Sequence, residues 1–137
     1  RGRIYRVVSA AGAVRSPVQL DGLSIAQLVA AMDSPNDWQR DKVQQMLIWR
    51  GDTAAAQPLV ELYHRSPRPQ ARVQALWTLA GLGALEPALL IEALRDEHPR
   101  VRQVALRLAE DSDHPDLIEA AARLADDSDA QVRLQWR

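Results

Sequence analysis

One residue type recurs along this chain at nearly constant spacing, and that recurrence restricts the fold more than any other feature. Arg40, Arg72, Arg102 and Arg133 are separated by 32, 30 and 31 residues, and each follows a polar turn. A period of this length holds two short helices and the turns that join them. The spacing therefore predicts about four stacked helix-turn-helix units, which is an all-α architecture.

Turn and cap residues divide each unit into a first and a second helix. The first helices are predicted at residues 24–32, 53–64, 86–95 and 115–125. Ser24 and Thr53 can cap helix N-termini through their hydroxyl groups. Gly51 and the pair Gly81 and Gly83 follow second helices, where a left-handed residue can end the last turn.

The second helices carry the clearest apolar pattern. Four residues in the second unit fall at positions i, i+3, i+4 and i+7: Val73, Leu76, Trp77 and Ala80. The pattern recurs one unit later, at Val101, Val104, Ala105 and Leu108. Because this spacing places four side chains on one helix face, we expect that face, including Trp77, to lie in the core.

The start of the chain has a different pattern. Residues 3–8 are rich in β-forming side chains, and a loop with turn residues follows them. The pattern predicts a short extended N-terminal arm, with residues 1–23 forming the arm and a linker. Residues 24–137 form the helical array. Since the helical pattern continues to Trp136, we expect the array to be truncated at its C-terminal end.

Charge and composition exclude several classes of function. With 17 Lys and Arg against 18 Asp and Glu, the chain has no overall field that attracts nucleic acid or anionic lipid. The absence of cysteine excludes thiolate metal sites and a cysteine nucleophile, and no apolar run reaches the roughly 20 residues that span a bilayer. We predict no catalytic, metal or cofactor-binding residue, no enzyme activity in this chain and no membrane insertion.

The recurring arginines have two interpretations. As a row on one edge of the stack, they could bind phosphates or carboxylates through forked guanidinium contacts. Alternatively, each could pair with a turn acid such as Asp33, Asp96 or Asp127, or with carbonyl groups at helix ends. A net charge near zero favours this structural interpretation.

Two tryptophans complete the candidate interaction surface. Trp38 and Trp49 bracket the second helix of the first unit. An exposed pair could stack on a base, a sugar or a partner side chain, or it could cover the open end of the stack beneath the N-terminal arm, which is the favoured interpretation. The full candidate set is Trp38, Trp49, Arg40, Arg72, Arg102 and Arg133.

Histidines and aspartate clusters could in principle hold a metal. His64, His98 and His114 lie in different parts of their units, so we expect solvated side chains rather than ligands. The clusters at 111–113 and 126–129 lack the spaced ligands of a calcium loop and precede predicted helices. We expect them to cap those helices.

Short motifs give the chain a family resemblance. The Val-Arg-x-x-Ala sequence at 101–105 and the Val-Arg pair at 132–133 resemble HEAT or lyase-type HEAT-like repeats, which form α-solenoids. Three segments in order are similar to the middle of the large exported membrane-bound dehydrogenase-type haem proteins of planctomycetes and verrucomicrobia. They are Gly-Arg-Ile-Tyr-Arg-Val at 2–7, Ser-Pro-Asn-Asp-Trp-Gln-Arg-Asp at 34–41, and residues 75–85. The resemblance covers nearly the whole chain.

This resemblance implies a place within a larger protein. In the family, a β-propeller precedes the HEAT-like array, and a c-type cytochrome domain with a Cys-x-x-Cys-His motif follows it. Residues 1–8 would be the last propeller strand, and the parent would be a periplasmic or exported oxidoreductase. No haem-binding or propeller active-site residue matches a position in this chain, and Asp37 stands where the family has glycine.

The sequence therefore predicts a non-catalytic scaffold and protein-interaction module. It would space and dock domains of the same parent, or bind another protein, with no nucleic acid as partner. Two alternatives come from related repeat architectures. One is a nucleic-acid-binding or DNA glycosylase-type module, suggested by the arginines and by Trp38 and Trp49. The other is a tetrapyrrole lyase-like chaperone, suggested by the repeat type alone.

Overall fold

A computed structural model of the chain describes residues 18–136, and this part of the protein is all-helical. It contains no strand, and the strand-like segment at 3–8 lies outside it. The helices are α1 (Ile25–Met32), α2 (Asp37–Arg50), α3 (Ala56–Arg65), α4 (Pro69–Gly81), α5 (Pro87–Ala93), α6 (Pro99–Ala109), α7 (Pro115–Ala122) and α8 (Ala130–Gln135). Short 3-10 segments, Thr53–Ala55 and Arg123–Asp126, precede α3 and follow α7. The predicted all-α class is confirmed.

The helices pack in a repeat-like order. Each even-numbered helix contacts the next even-numbered one, so that α2, α4, α6 and α8 follow one another across the molecule. The odd-numbered helices α1, α3 and α5 pack against the even-numbered helix that follows each of them. The predicted first helices correspond to the odd-numbered helices. Among residues 18–136, no helix combines the length and the apolar character needed to cross a membrane.

A single buried cluster of aliphatic side chains runs through the helices. Its largest fully buried members are Leu28, Met32, Leu47, Leu59, Leu76, Leu79, Leu94 and Leu117. Burying one such side chain contributes about 1.5–3 kcal/mol before entropy is counted. Because the members come from every unit, each unit depends on its neighbour to cover its apolar face.

Most of the predicted cap residues lie at helix ends as the sequence indicates. Ser24 caps α1 by accepting from the backbone N–H of Gln27, whose side chain accepts in return from the Ser24 N–H. Gly51 and Gly83 have φ of 62° and 65°, as their predicted positions after α2 and α4 require. The prediction for Thr53 is wrong, since it begins a 3-10 segment that has no side-chain cap.

Gly81 has a different function from Gly83. It is the last residue of α4, and a Cβ atom built on it would lie 2.6 Å from Cδ1 of Ile48 in α2. A hydrogen atom in place of a side chain therefore allows α4 to approach α2 closely at this point.

The predicted burial of Trp77 is wrong. Its side chain is 36% exposed, whereas Ala75, Leu76 and Leu79 on the same helix are fully buried. Arg72 is also buried on that face of α4. The buried stripe therefore includes the arginine position and is turned away from Trp77.

Candidate functional site

The four recurring arginines occupy one local structure. In every unit the arginine donates through Nη1 to the backbone carbonyl of the residue six positions before it. The pairs are Arg40 with Ser34 at 2.6 Å, Arg72 with Ser66 at 3.1 Å, Arg102 with Asp96 at 2.9 Å and Arg133 with Asp127 at 2.5 Å. A charged donor thus satisfies a carbonyl in each turn between the paired helices.

The accepting residue also closes the turn with its side chain. Its side-chain oxygen accepts the backbone N–H of the residue two positions later, as serine and aspartate commonly do in turns. The bonds run from Asn36 to Ser34 at 3.1 Å, from Arg68 to Ser66 at 3.1 Å, from His98 to Asp96 at 2.8 Å and from Asp129 to Asp127 at 2.8 Å. We call this combination of a serine or aspartate and an arginine six residues later the turn motif.

Two of the arginines also reach the turn motif of the following unit. Arg72 donates through Nη2 to Oδ1 of Asp96 at 2.9 Å. Arg102 makes a forked contact with Asp127, in which Nε and Nη2 each lie 2.8 Å from a carboxylate oxygen. All four side chains are close to fully buried. These are pairs of the kind that the structural interpretation of the arginines predicts.

The contact between Arg102 and Asp127 shifts the pKa of both groups. The hydrogen bonds from Arg102 lower the pKa of the Asp127 carboxyl, and the same bonds raise the pKa of Arg102. Each partner therefore stabilises the charged form of the other.

The first unit joins the second by a different set of contacts. Arg40 pairs with exposed Asp37 of its own helix. The contact between the turns comes instead from Asp33, which accepts from Oγ of Ser66 at 2.9 Å and from Nη1 of Arg68 at 3.3 Å. Nε of Arg40, like Nε of Arg72 in the second unit, is buried and has no acceptor among residues 18–136.

Asp96 collects a further contact that sequence reasoning missed. The Tyr63 hydroxyl donates to its Oδ2 at 3.2 Å, so this carboxylate joins α3, α4 and its own turn. Burial, together with the neighbouring Asp96, raises the pKa of Tyr63 far above its ordinary value. The only sequence signal for this contact is a tyrosine 33 residues before the turn aspartate.

The candidate arginines therefore differ from an open basic row. Arg40 and Arg72 are only 6% and 7% exposed. Arg133 lies on the surface, and its Nη1 contacts the carbonyls of Asp127 and Ser128. Forked contacts to a ligand would compete with bonds that these groups already make to the protein.

The two candidate tryptophans are both on the surface. Trp38 is 56% exposed and Trp49 is 78% exposed. They are eleven positions apart on α2, which is close to three helical turns, so they lie on the same side of that helix. Most of the predicted arm and linker, residues 1–17, lies outside the described residues, so coverage of these tryptophans by the arm stays a prediction.

Two of the three histidines, His64 and His114, are exposed as predicted, whereas His98 is partly buried. His98 is the N-cap of α6, where its Nδ1 accepts from the backbone N–H of Arg100 at 3.2 Å. His64 contacts Glu92 across the junction between units, with Nε2 2.9 Å from Oε2.

One of the two aspartate clusters caps a helix as predicted. Asp129 accepts from the backbone N–H groups of Gln131 and Val132 at the start of α8. The N-cap of α7 is His114, and it makes no side-chain cap bond, so the prediction for the cluster at 111–113 is wrong. No group of three or more candidate metal ligands occurs in the described part of the chain.

A polar cleft crosses the even-numbered helices. Its lining comes from α4, α6 and α8, and its volume is about 140 Å³. We call it the α6 groove, and its lining residues are Trp77, Arg100, Gln103, Val104, Arg107 and Gln135. Sequence analysis did not find it because no single segment contains these residues.

Comparison with known proteins leaves this all-helical protein without a family assignment. No family model matches the chain, and neither the curated proteins nor the solved structures include a match. Its function must therefore be inferred from the turn motif and from the surface that the packed helices present.

Proposed function

We propose that the chain is an α-solenoid of HEAT-like repeats that acts as a non-catalytic scaffold. It holds a fixed geometry between its ends and presents the face of its even-numbered helices to a partner. The observation that carries this proposal is the recurrence of one turn motif in all four units. Their turns are joined by a partly exposed polar contact at the first junction and by buried ion pairs at the next two.

Those contacts favour stiffness over movement. A buried ion pair is strongly directional, and breaking it leaves a charge without its partner at a cost of several kcal/mol. The pairs Arg72–Asp96 and Arg102–Asp127 join the turns of neighbouring units. The aliphatic cluster packs the helices of the same units together. Two different kinds of interaction therefore oppose a hinge between neighbouring units.

The family resemblance extends this proposal to a parent protein. In a membrane-bound dehydrogenase-type protein, the array would fix the distance between a propeller and a haem domain. The coding sequence on either side of this segment tests that extension. A propeller upstream and a Cys-x-x-Cys-His motif downstream are expected, and finding neither would reject the placement.

The two alternatives have less support. A nucleic-acid module would need its arginines free for phosphate groups, and Arg40, Arg72 and Arg102 already bond to the protein. For a tetrapyrrole chaperone, no observation among residues 18–136 provides specific support. The scaffold proposal accounts for the arginines directly.

A distance measurement tests the stiffness. Because the chain has no cysteine, cysteines introduced at exposed Ala26 in α1 and exposed Ala122 in α7 give two unique sites for spin labels. Pulsed electron paramagnetic resonance should give a single narrow distribution of distances between the two labels. A broad distribution in the unmodified array would reject a rigid scaffold.

A matched pair of variants links that stiffness to the turn motif. Arg102→Gln removes the forked contact with Asp127 and should broaden the distribution. Arg95→Gln makes the same charge change at an exposed position outside the motif and should leave it unchanged.

A further inference from the structure

Arg100 and Arg107 differ from the arginines of the turn motif. Both are exposed on α6 and line the same groove. Arg100 donates to the amide oxygen of Gln103 at 2.5 Å, and neither arginine forms an ion pair with any residue in 18–136. Being seven positions apart, they project from the same side of the helix about 10 Å apart along its axis.

The rest of the α6 groove suits a peptide. Trp77 contributes a partly exposed ring from α4, and Val104 is a buried apolar residue in the lining. Gln103 and Gln135 each carry an amide, which can donate to a peptide carbonyl and accept from a peptide N–H. No lining residue is acidic.

Acidic groups lie beyond both ends of the groove. Asp129 lines the adjoining cleft, which shares Arg100 and Gln103 with the groove. At the other end, Glu110 accepts from Nε2 of Gln135 at 2.7 Å. The basic surface is therefore about as long as α6. A continuous polyanion such as nucleic acid would extend past it and meet like charge at each end.

The spacing of the arginines matches a polyproline II peptide and does not match a β-strand. A polyproline II helix repeats its side-chain direction every three residues and rises about 3.1 Å per residue, so side chains at i and i+3 lie about 9 Å apart on one side. A β-strand places i and i+3 on opposite sides. Carboxylates three residues apart on a polyproline II helix can therefore face Arg100 and Arg107 together.

From these features we propose that the α6 groove binds an acidic, proline-rich segment whose carboxylates recur every third residue. The two arginines hold successive carboxylates through charge-assisted hydrogen bonds, and Trp77 packs against the intervening prolines. This inference rests on the proposed scaffold function and names the chemistry of its partner.

Fluorescence anisotropy with a labelled peptide of three Glu-Pro-Pro repeats tests the proposal. Arg100→Gln and Arg107→Gln should each weaken binding by about tenfold, as expected for losing one charge-assisted contact. Trp77→Ala should weaken it severalfold. Arg95→Gln is the matched control, because it removes an exposed arginine outside the groove, and it should bind like the unmodified protein.

Three further ligands decide between explanations. A peptide of three Gln-Pro-Pro repeats should not bind, and a peptide with its three glutamates adjacent should bind more weakly than the spaced one. The proposal would be overturned if the spaced and adjacent peptides bound equally well. It would also be overturned if Arg107→Gln bound the spaced peptide as tightly as the unmodified protein does. Tighter binding of a short oligothymidine than of the spaced peptide would overturn it as well. If the spin labels give a narrow distance distribution but the peptide does not bind, the peptide proposal is rejected and the proposed scaffold function is not.

Discussion

The junction between the first two units and the junction between the last two use the same turn motif differently. At the last junction, Arg102 reaches forward and holds both carboxylate oxygens of Asp127. At the first, Arg40 stays within its own unit, and Asp33 reaches forward to Ser66 and Arg68. One junction is a buried ion pair, and the other is a partly exposed polar contact.

A single turn position accounts for this difference. Ser66 and Asp127 occupy equivalent places, and both close their turns by accepting the N–H two residues later. Only the aspartate has a second oxygen and a negative charge for the arginine of the preceding unit. Local turn structure therefore tolerates either residue, whereas the contact between units depends on which one is present.

Among substitutions at the two junctions, removal of the Asp127 side chain should lower the free energy of unfolding most. Asp127→Ala leaves Arg102 buried without its partner and should cost about 2–3 kcal/mol in the free energy of unfolding, measured by urea denaturation. Exposed Asp126 provides the control, and its replacement by alanine should cost less than about 0.5 kcal/mol. Similar losses for the two variants would show that the forked contact contributes little.

Placing an aspartate at the first junction should have a smaller effect. Ser66→Asp puts a carboxylate beside Asp33, which now accepts from the serine hydroxyl at 2.9 Å. We expect a loss of about 1–2 kcal/mol from like-charge repulsion and the lost bond.

A second substitution tests whether the first junction can be converted. Combining Ser66→Asp with Asp33→Asn removes the repulsion and offers Arg40 a carboxylate like Asp127. The double variant should recover most of the lost stability, which makes the two substitutions non-additive. A double variant less stable than Ser66→Asp alone would contradict the proposed equivalence of the two turn positions.

Acid should weaken the contact between Arg102 and Asp127 at the last junction. Since the pKa of Asp127 is lower in the fold than its ordinary 3.8, its contribution to stability is complete well above pH 4 and is lost as pH falls through the lowered pKa. Asp127→Asn mimics the neutral form, so the stability difference between unmodified protein and this variant should shrink as pH falls below 4. Urea denaturation at pH 7 and pH 3 measures it. A difference that stays constant would mean that Asp127 does not titrate in this range.

The smallest effect is expected from Arg68. Its contact with Asp33 is 3.3 Å long, and both side chains are partly exposed. Surface pairs of this kind contribute about 0–1 kcal/mol, so Arg68→Ala should lower the melting temperature only slightly. A loss as large as that of Asp127→Ala would show that the first junction is also a strong polar link.

The sequence predicted the helices well because their signals are local. The turn residues and the cap at Ser24 each act within a few positions of the structure that they specify. The predicted burial of Trp77 is wrong because the buried face of α4 includes Arg72, which an apolar pattern does not contain. Buried arginine is uncommon unless its donors are satisfied, and the carbonyl of Ser66 that accepts from it becomes visible only when the turn is folded.

The candidate site was only partly visible for the same reason. A serine or aspartate six residues before each arginine is present in the sequence, and this spacing could have indicated the turn motif. The α6 groove could not be found so directly, since Trp77 and Gln135 come from helices on either side of α6. The one local signal was the separation of Arg100 and Arg107 by two helical turns.

The turn motif also bears on how such a chain can grow or shrink. Every unit ends its first helix and begins its second with the same bonded geometry, whichever of the two junction types follows it. A duplication or deletion of one period, 30–32 residues, would therefore join compatible ends and leave the remaining turns intact. Gain or loss of whole units would change the span of the protein stepwise, without requiring a new fold.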